Sequence, residues 1–319
     1  MRNRRSLRAP SGIGARDRFG DFLLHQRKYS VTGMNAGFIA WLGAGAENIG
    51  FTLYCLSLAL FAAVEAWHPA FAEPRRRHER WPVNAAIGLA NIGLSIVTPI
   101  TGVVVARWAE GHGVGLLNYL QSPLWLALIV TVLVRSLQSY AIHVLMHKVP
   151  LLWRIHRVHH SDTHLDASTS LRNHPFEFAV VLTSNLAVTL ALGLNPWALI
   201  IFEVVESVAS TAAHANLRLP ERFDRALRVL FVTPNMHSLH HSAWQPETDS
   251  NYGQVFSFWD RLFGTYSAAP RNGYDALKIG LKEIDFEHAT DVVWQMKSPV
   301  LTIGSTGAVM KKTESAEGR

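Results

Sequence analysis

The 319-residue chain reads as an all-α integral membrane helical bundle with a histidine-rich helical cap. Three observations predict this: a series of long apolar runs, a low charge content, and a concentration of histidines between residues 143 and 241. Hydrophobic residues make up 49% of the chain and charged residues 17%, against about 25% charged in typical soluble domains. A spanning helix needs about 20 mostly apolar residues. Runs 49–67, 83–106 and 123–143 meet that length. The first holds one acid, Glu65, near its end; the second has no charge; the third is interrupted by Arg135. Runs 178–193 and 197–213 are shorter, and Asn195-Pro196 between them predicts a helical hairpin entering the membrane. Residues 36–45 are apolar but Gly-rich, and are expected at the interface or within another membrane helix.

These runs divide the chain into a basic, flexible arm (1–35), a membrane-embedded domain (36–266) and a cytoplasmic C-terminal tail (267–319), frayed after about Gly304. Arg2, Arg4, Arg5, Arg8, Arg16, Arg18, Arg27 and Lys28 all precede the first apolar run and supply much of the net charge of +6. Such an arm either contacts anionic lipid headgroups or is simply solvated. No nucleic-acid motif accompanies it, and residues 1–30 lack the apolar core of a signal peptide. The short basic stretch Arg75–Arg80 is expected on the cytoplasmic side. Two spans later the chain returns to that side at His143, and the hairpin goes out and back to His214, so the histidines are expected to face the cytoplasm.

The chain has 16 histidines. His143 and His147 lie four apart; His156, His159 and His160 form a second group; His237, His240 and His241 form a third. Residues three and four apart share a helix face, so each group can aim its imidazoles at one point. Neutral imidazole binds iron, zinc, copper and nickel. Burying this many imidazoles without a metal would leave many polar nitrogens to satisfy. His25, His68, His112 and His288 are isolated and read as ordinary residues. No His-Glu-x-x-His occurs, so the zinc-protease helix is absent. Few carboxylates interleave with the histidines, unlike the Glu-rich di-iron bundles, and eight or more imidazoles suggest two metals. The single cysteine, Cys55, excludes an internal disulfide and a cysteine-ligated cluster, so electrons for any redox reaction must come from a partner or another cofactor.

From about Tyr140 to Tyr266 the sequence resembles the fatty acid hydroxylase and sterol desaturase superfamily of membrane di-iron oxidases. His143/His147 is similar to the first histidine box, and Trp153-Arg154-Ile155-His156-Arg157-Val158-His159-His160-Ser161-Asp162 to the second. Leu165-Asp166, Thr169, Leu171-Arg172-Asn173-His174-Pro175 and Glu177 resemble the stretch that follows. His214-Ala215-Asn216 resembles the single-histidine element after the hairpin, and Thr233-Pro234 through Ser242 the last box. Asp249-Ser250-Asn251-Tyr252-Gly253 and Trp259 to Tyr266 resemble the closing signature. The resemblance adds His174 and His214 to the metal ligands and leaves His164 beside the site. Two positions depart from the family pattern: Ser136 stands where an aspartate is usual, and Val144 where an arginine is.

The resemblance implies an iron- and O2-dependent lipid oxidoreductase, a hydroxylase or desaturase acting on a fatty acyl, sterol-like or ether lipid. It implies two Fe ions, with O2 as co-substrate. Asp162, Asp166, Glu177 and Asn216 are expected to orient the ligands. The partners it implies are the bilayer, a lipid substrate, and an external electron donor, a ferredoxin or b-type cytochrome with its reductase. A metal-binding membrane protein without oxidase activity and a metal-dependent membrane hydrolase are the other readings.

Overall fold

A computed structural model describes residues 36–71, 76–98 and 100–301, with side chains from Ile49 onward. The basic arm and the end of the chain, including its expected fraying, lie outside the described residues. The chain divides into a unit of residues 1–46, of which 36–46 are helical, and a unit of residues 47–319 that holds every feature described below. The helices are α1 (Ala36–Trp67), α2 (Arg77–Val97), α3 (Gly102–His112), α4 (Leu124–Lys148), α5 (Pro150–His160), α6 (Pro175–Leu192), α7 (Pro196–His214), α8 (Glu221–Leu227), α9 (Pro234–His240) and α10 (Val292–Lys297), with short helical turns in several connections. The described residues contain no strand, only isolated bridges at Phe231–Phe256 and Ser242–Ile279.

Among the described residues, five helical segments are long and apolar enough to cross a membrane: Ile49–Trp67, Arg77–Tyr119, Leu124–Lys148, Pro175–Leu192 and Pro196–His214. Large apolar side chains, among them Leu56, Leu60, Leu89, Ile129 and Ile201, face outward from them, as a lipid environment allows. One sequence expectation is corrected here. Run 83–106 is not one helix: α2 stops at Val97, and α3 starts at Gly102 with Thr101 as its extended N-cap, accepting from the Val104 N–H at 3.2 Å. The sequence Thr98-Pro99-Ile100-Thr101 explains the break, since proline cannot supply the helix hydrogen bond and threonine favours the cap.

The expected hairpin is present as α6 and α7. Gly193 ends α6 in the left-handed region (φ 64°), and the Asn195 side chain caps α7 by accepting from Trp197 and Ala198, each at 3.0 Å. Gly115 (φ 91°) lies so close that a Cβ there would sit 2.2 Å from the Gly193 nitrogen. Both glycines are therefore required where the chain after α3 crosses the hairpin. The Asn195 N–H donates to Thr131 on α4 at 2.9 Å, and Val103, Ala106, Leu117, Leu194 and Leu199 form the apolar core at this end.

The cap occupies the opposite end. Near the end of α1, Glu65 accepts from the backbone N–H of Ala167 (2.9 Å) and Asn216 (3.0 Å) and pairs with Arg77 (2.8 Å). In the first turn of α2, buried Arg80 donates to Asp162 (2.6 and 3.0 Å), Asp166 (2.9 Å) and the His164 carbonyl (2.6 Å). Arg77 and Arg80 belong to the short basic stretch expected on the cytoplasmic side. The structure sets them against Glu65, Asp162 and Asp166, so their charge is matched inside the protein.

The segment after Tyr266, expected as a tail, is packed as far as Leu301. Arg172 donates to the Ala289 carbonyl (2.6 Å), Arg157 to Ser298 Oγ (3.1 Å) and Ser161 to Gln295 Oε1 (3.1 Å). Leu281, Ile284, Ala289 and Trp294 build a small core there, against Trp153. Buried arginines in the cap need acceptors, and this segment provides them.

Arg80→Met should leave two buried carboxylates without their cation, a loss of about 3–5 kcal/mol. The expected result is a large fall in thermal midpoint in detergent. Arg76→Ala, which removes an exposed pair with Glu79, should leave the midpoint unchanged within error.

Candidate metal centre

Helix punctuation brings the histidines together. His143 and His147 occupy the last turns of α4, one above the other on one face. Pro150 prevents α4 from continuing and starts α5, where a proline at the first position is tolerated. The chain therefore turns at once and carries His156, His159 and His160 back past the end of α4. His214 is the last residue of α7. On α9, Thr233 caps by accepting from the Met236 N–H (3.2 Å) and donates its hydroxyl to Asp224 (2.6 Å), with Pro234 at the first position. That fixes the turn bearing His237, His240 and His241.

Nine imidazoles converge in two groups. His143, His147, His156, His160 and His240 form one; His159, His214, His237 and His241 form the other. Within each group one ligand atom per residue lies within 4.8 Å of every other, and all nine side chains are buried. The two groups adjoin, with the rings of His160 and His241 stacked at 4.5 Å.

The outward nitrogens set the tautomers. Nδ1 of His143 lies 2.8 Å from the Tyr252 carbonyl, Nδ1 of His240 2.7 Å from the Ser250 carbonyl, and Nδ1 of His214 2.7 Å from the Ser210 carbonyl. Nδ1 of His156 lies 2.9 Å from Glu177 Oε1. A carbonyl or an ionised carboxylate only accepts, so each of these Nδ1 atoms carries the proton and each Nε2 presents a lone pair inward. For these four rings the inward nitrogen is an acceptor, whereas His159, His160, His237 and His241 have no partner on Nδ1 that fixes their tautomer. Nε2 of His214 lies 3.0 Å from that of His159 and 3.0 Å from that of His237; His156–His160 and His237–His241 are at 3.2 Å. Nε2 of His143, His147 and His240 is buried with no partner at all. Buried imidazoles gathered with so few other partners suit a cation, and the two groups fit metal held by nitrogen. Among the imidazoles outside the spanning helices, burial first, and neighbouring imidazoles second, hold His159, His160, His237 and His241 well below the ordinary histidine value. Burial brings His240 down to about 3. Neutral rings are the form that binds metal.

The closing signature supports two of the boxes. The Asp260 carboxylate accepts from the backbone of Tyr252 (2.7 Å) and Gly253 (2.9 Å) and from the Thr265 hydroxyl (2.7 Å). It thereby fixes the Tyr252 carbonyl on His143. Asn251 donates to the Met236 carbonyl (3.2 Å), next to His237. A Cβ at residue 253 would fall 2.5 Å from the Phe256 carbonyl, so only glycine fits.

The expected orienting residues separate. Glu177 touches His156. Asp162 and Asp166 instead anchor Arg80. Burial alone would raise the Asp162 carboxyl, but Arg80 outweighs it and holds it well below the usual range. Asn216 pairs with the backbone of Phe71 (3.0 and 3.1 Å). His174 is in neither group. It caps α6, its Nδ1 accepting from the Phe176 N–H (3.0 Å), while Nε2 lies 3.2 Å from the Met296 carbonyl. Both nitrogens are taken, so the expected ligand role for His174 is not carried forward. At the departure from the family pattern, Ser136 accepts from the Trp259 indole at 3.1 Å. Sequence reasoning missed Asp260, Arg80 and the three carbonyls. Asp260 lay inside a recognised motif, Arg80 inside a charge run, and backbone carbonyls carry no sequence signal.

A cavity of about 370 Å³ runs from His143, His156, His159 and His214 between α1, α2, α4, α6 and α7. Fold and site together define a helical protein with five segments able to span a membrane, a buried all-imidazole site, and a cavity leading to it.

Residues 128–265 match the Fatty acid hydroxylase family model, bearing out the resemblance read from the histidine boxes. The chain is 26% identical to ornithine lipid hydroxylase OlsE of Rhizobium tropici, over 47% of this chain and 45% of the relative. It is 28% identical to alkylglycerol monooxygenase of Caenorhabditis elegans, over 40% of this chain and 25% of the relative. With human cholesterol 25-hydroxylase it shares 26% identity over 68% of this chain and 80% of the relative. The chain thus spans half or less of the length of several relatives it matches. No solved structure gives a significant match.

His214→Ala removes one of four imidazoles in its group and should release that metal, read as a loss of about half the bound metal. His174→Ala should keep the full metal content by elemental analysis. The opposite pattern would exchange the two roles.

Proposed function

We propose that this protein is an iron-dependent, dioxygen-using lipid hydroxylase. The observation that carries the reading is the convergence of nine buried imidazoles at the end of a cavity enclosed by membrane helices. One iron would be held by His143, His147, His156, His160 and His240, and a second by His159, His214, His237 and His241. Bound iron supplies the oxidising power to attack an unactivated C–H bond with O2 as co-substrate.

The chain's own residues supply placement. The Tyr252, Ser250 and Ser210 carbonyls and the Glu177 carboxylate hold four rings in one tautomer, so the ligands need no rearrangement to bind metal. The cavity admits the hydrophobic part of a lipid from the bilayer and excludes bulk water. Hydroxylation, rather than desaturation, is favoured because the relatives above are named hydroxylases and monooxygenases. A fatty acyl, sterol-like or ether lipid each remains compatible with the cavity. Electrons come from outside, from a ferredoxin or b-type cytochrome with its reductase, because Cys55 alone cannot hold a cluster. Exposed Lys148, Arg222, Arg225 and Lys282 on the cap favour a cytoplasmic orientation of the histidines.

The test is elemental analysis of purified protein combined with oxygen uptake and mass spectrometry of lipids under labelled dioxygen. The expected result is about two irons per chain and incorporation of one labelled oxygen atom into a lipid. Bound zinc with lipid hydrolysis and no oxygen uptake would contradict it.

A further inference from the structure

The cavity carries polar groups far from the histidines. Glu206 lies on α7 eight residues before His214, about 12 Å away along the helix axis. That places a carboxylate well inside a spanning segment, where an ionisable side chain is costly and marks function by default. Its side chain is 22% exposed and lines the cavity.

The carboxylate is held from behind. Arg135, on α4 and itself 2% exposed, donates to Glu206 at 3.5 Å, to Asn185 at 2.7 Å and to Gln138. Ser139 also donates to Glu206. The Arg135 contact on Oε2 is long, whereas the contact to Asn185 is short. Arg135 is thus fixed mainly by neighbours other than Glu206, and Oε2 retains capacity to accept. Among the described residues no lysine or arginine lines the cavity. Elsewhere in its wall, Asn91 Oδ1 and Glu177 Oε2 are buried acceptors with no donor. A wall with unpartnered acceptors and no lysine or arginine around Glu206 suits a ligand group that donates there, and disfavours a carboxylate or phosphate at that end.

We propose that Glu206 is a specificity-determining residue that receives a hydroxyl carried on the hydrophobic part of the lipid. The hydroxyl donates to Oε2, and the rest of the molecule reaches toward the histidines, so the carbon presented there is remote from the anchored group. This rests on the cavity being the substrate site of the oxygenase proposed above.

The probes are 1-hexadecanol, hexadecane and palmitic acid, with binding measured by displacement of radiolabelled hexadecanol from protein in nanodiscs. Iron content is determined on the same samples. The wild-type protein should prefer hexadecanol to hexadecane and to palmitic acid. The double variant Arg135→Leu/Glu206→Leu, which removes both charges together, should bind hexadecanol about 10-fold more weakly, with hexadecane unchanged. Glu206→Gln keeps an acceptor for Arg135 and should show an intermediate loss; it decides the question if the double variant does not fold. Wild-type affinity for hexadecanol in the variants would overturn the proposal, as would equal binding of palmitic acid by the wild-type protein. Iron-free protein that keeps the preference would overturn the oxygenase reading and support the anchor.

Discussion

The arrangement depends on one electrostatic constraint: nine imidazoles are buried together, with few polar partners besides one another. The Nδ1 protons of His143, His214 and His240 are claimed by backbone carbonyls, and that of His156 by Glu177. Their Nε2 atoms are left as acceptors, some only 3.0 Å from another imidazole nitrogen. Buried acceptors without donors are costly, and protonating the rings is opposed by burial. A cation is the species that relieves both conditions. Much of the surrounding structure serves to hold the rings in this state.

That supporting structure is largely polar and buried. Glu65 ties the end of α1 to the backbone at Ala167 and Asn216. Arg80 ties α2 to Asp162 and Asp166, on the chain that leaves the second histidine group. Asp260 holds the Tyr252 carbonyl against His143. The candidate spanning helices α1, α2 and α4 therefore meet the cap through specific hydrogen bonds, whereas the opposite end is closed by an apolar core around Leu194 and Leu199. In a bilayer, apolar side chains gain little by leaving lipid for one another, so packing and polar contacts must specify how helices associate. Here the polar contacts concentrate around the histidines.

Most of this plan was legible in the sequence. The apolar runs located the spanning segments, Asn195-Pro196 located the hairpin, and the three histidine groups located the centre. What escaped has identifiable causes. Hydropathy counts Thr98-Pro99-Ile100-Thr101 as part of an apolar run, although proline and the threonine cap divide it into two helices. A charge run gives no sign of which arginine folds inward, and Arg80 stands in one. His174 stands in a histidine-rich motif before a proline, and only the fold reveals that its ring is spent on capping α6 and on the Met296 carbonyl. His214, equally solitary in sequence, is brought in because it ends α7 beside α9. The carbonyls that set the tautomers belong to residues whose side chains are irrelevant to that role.

The central claim is that the two imidazole groups are two separate metal positions. An anomalous-difference map at the iron edge, from crystals of protein purified with its metal, tests it most directly. The account predicts one peak enclosed by His143, His147, His156, His160 and His240, and a second enclosed by His159, His214, His237 and His241, with His174 bound to neither. A single peak, or a peak coordinated by His174, would contradict it.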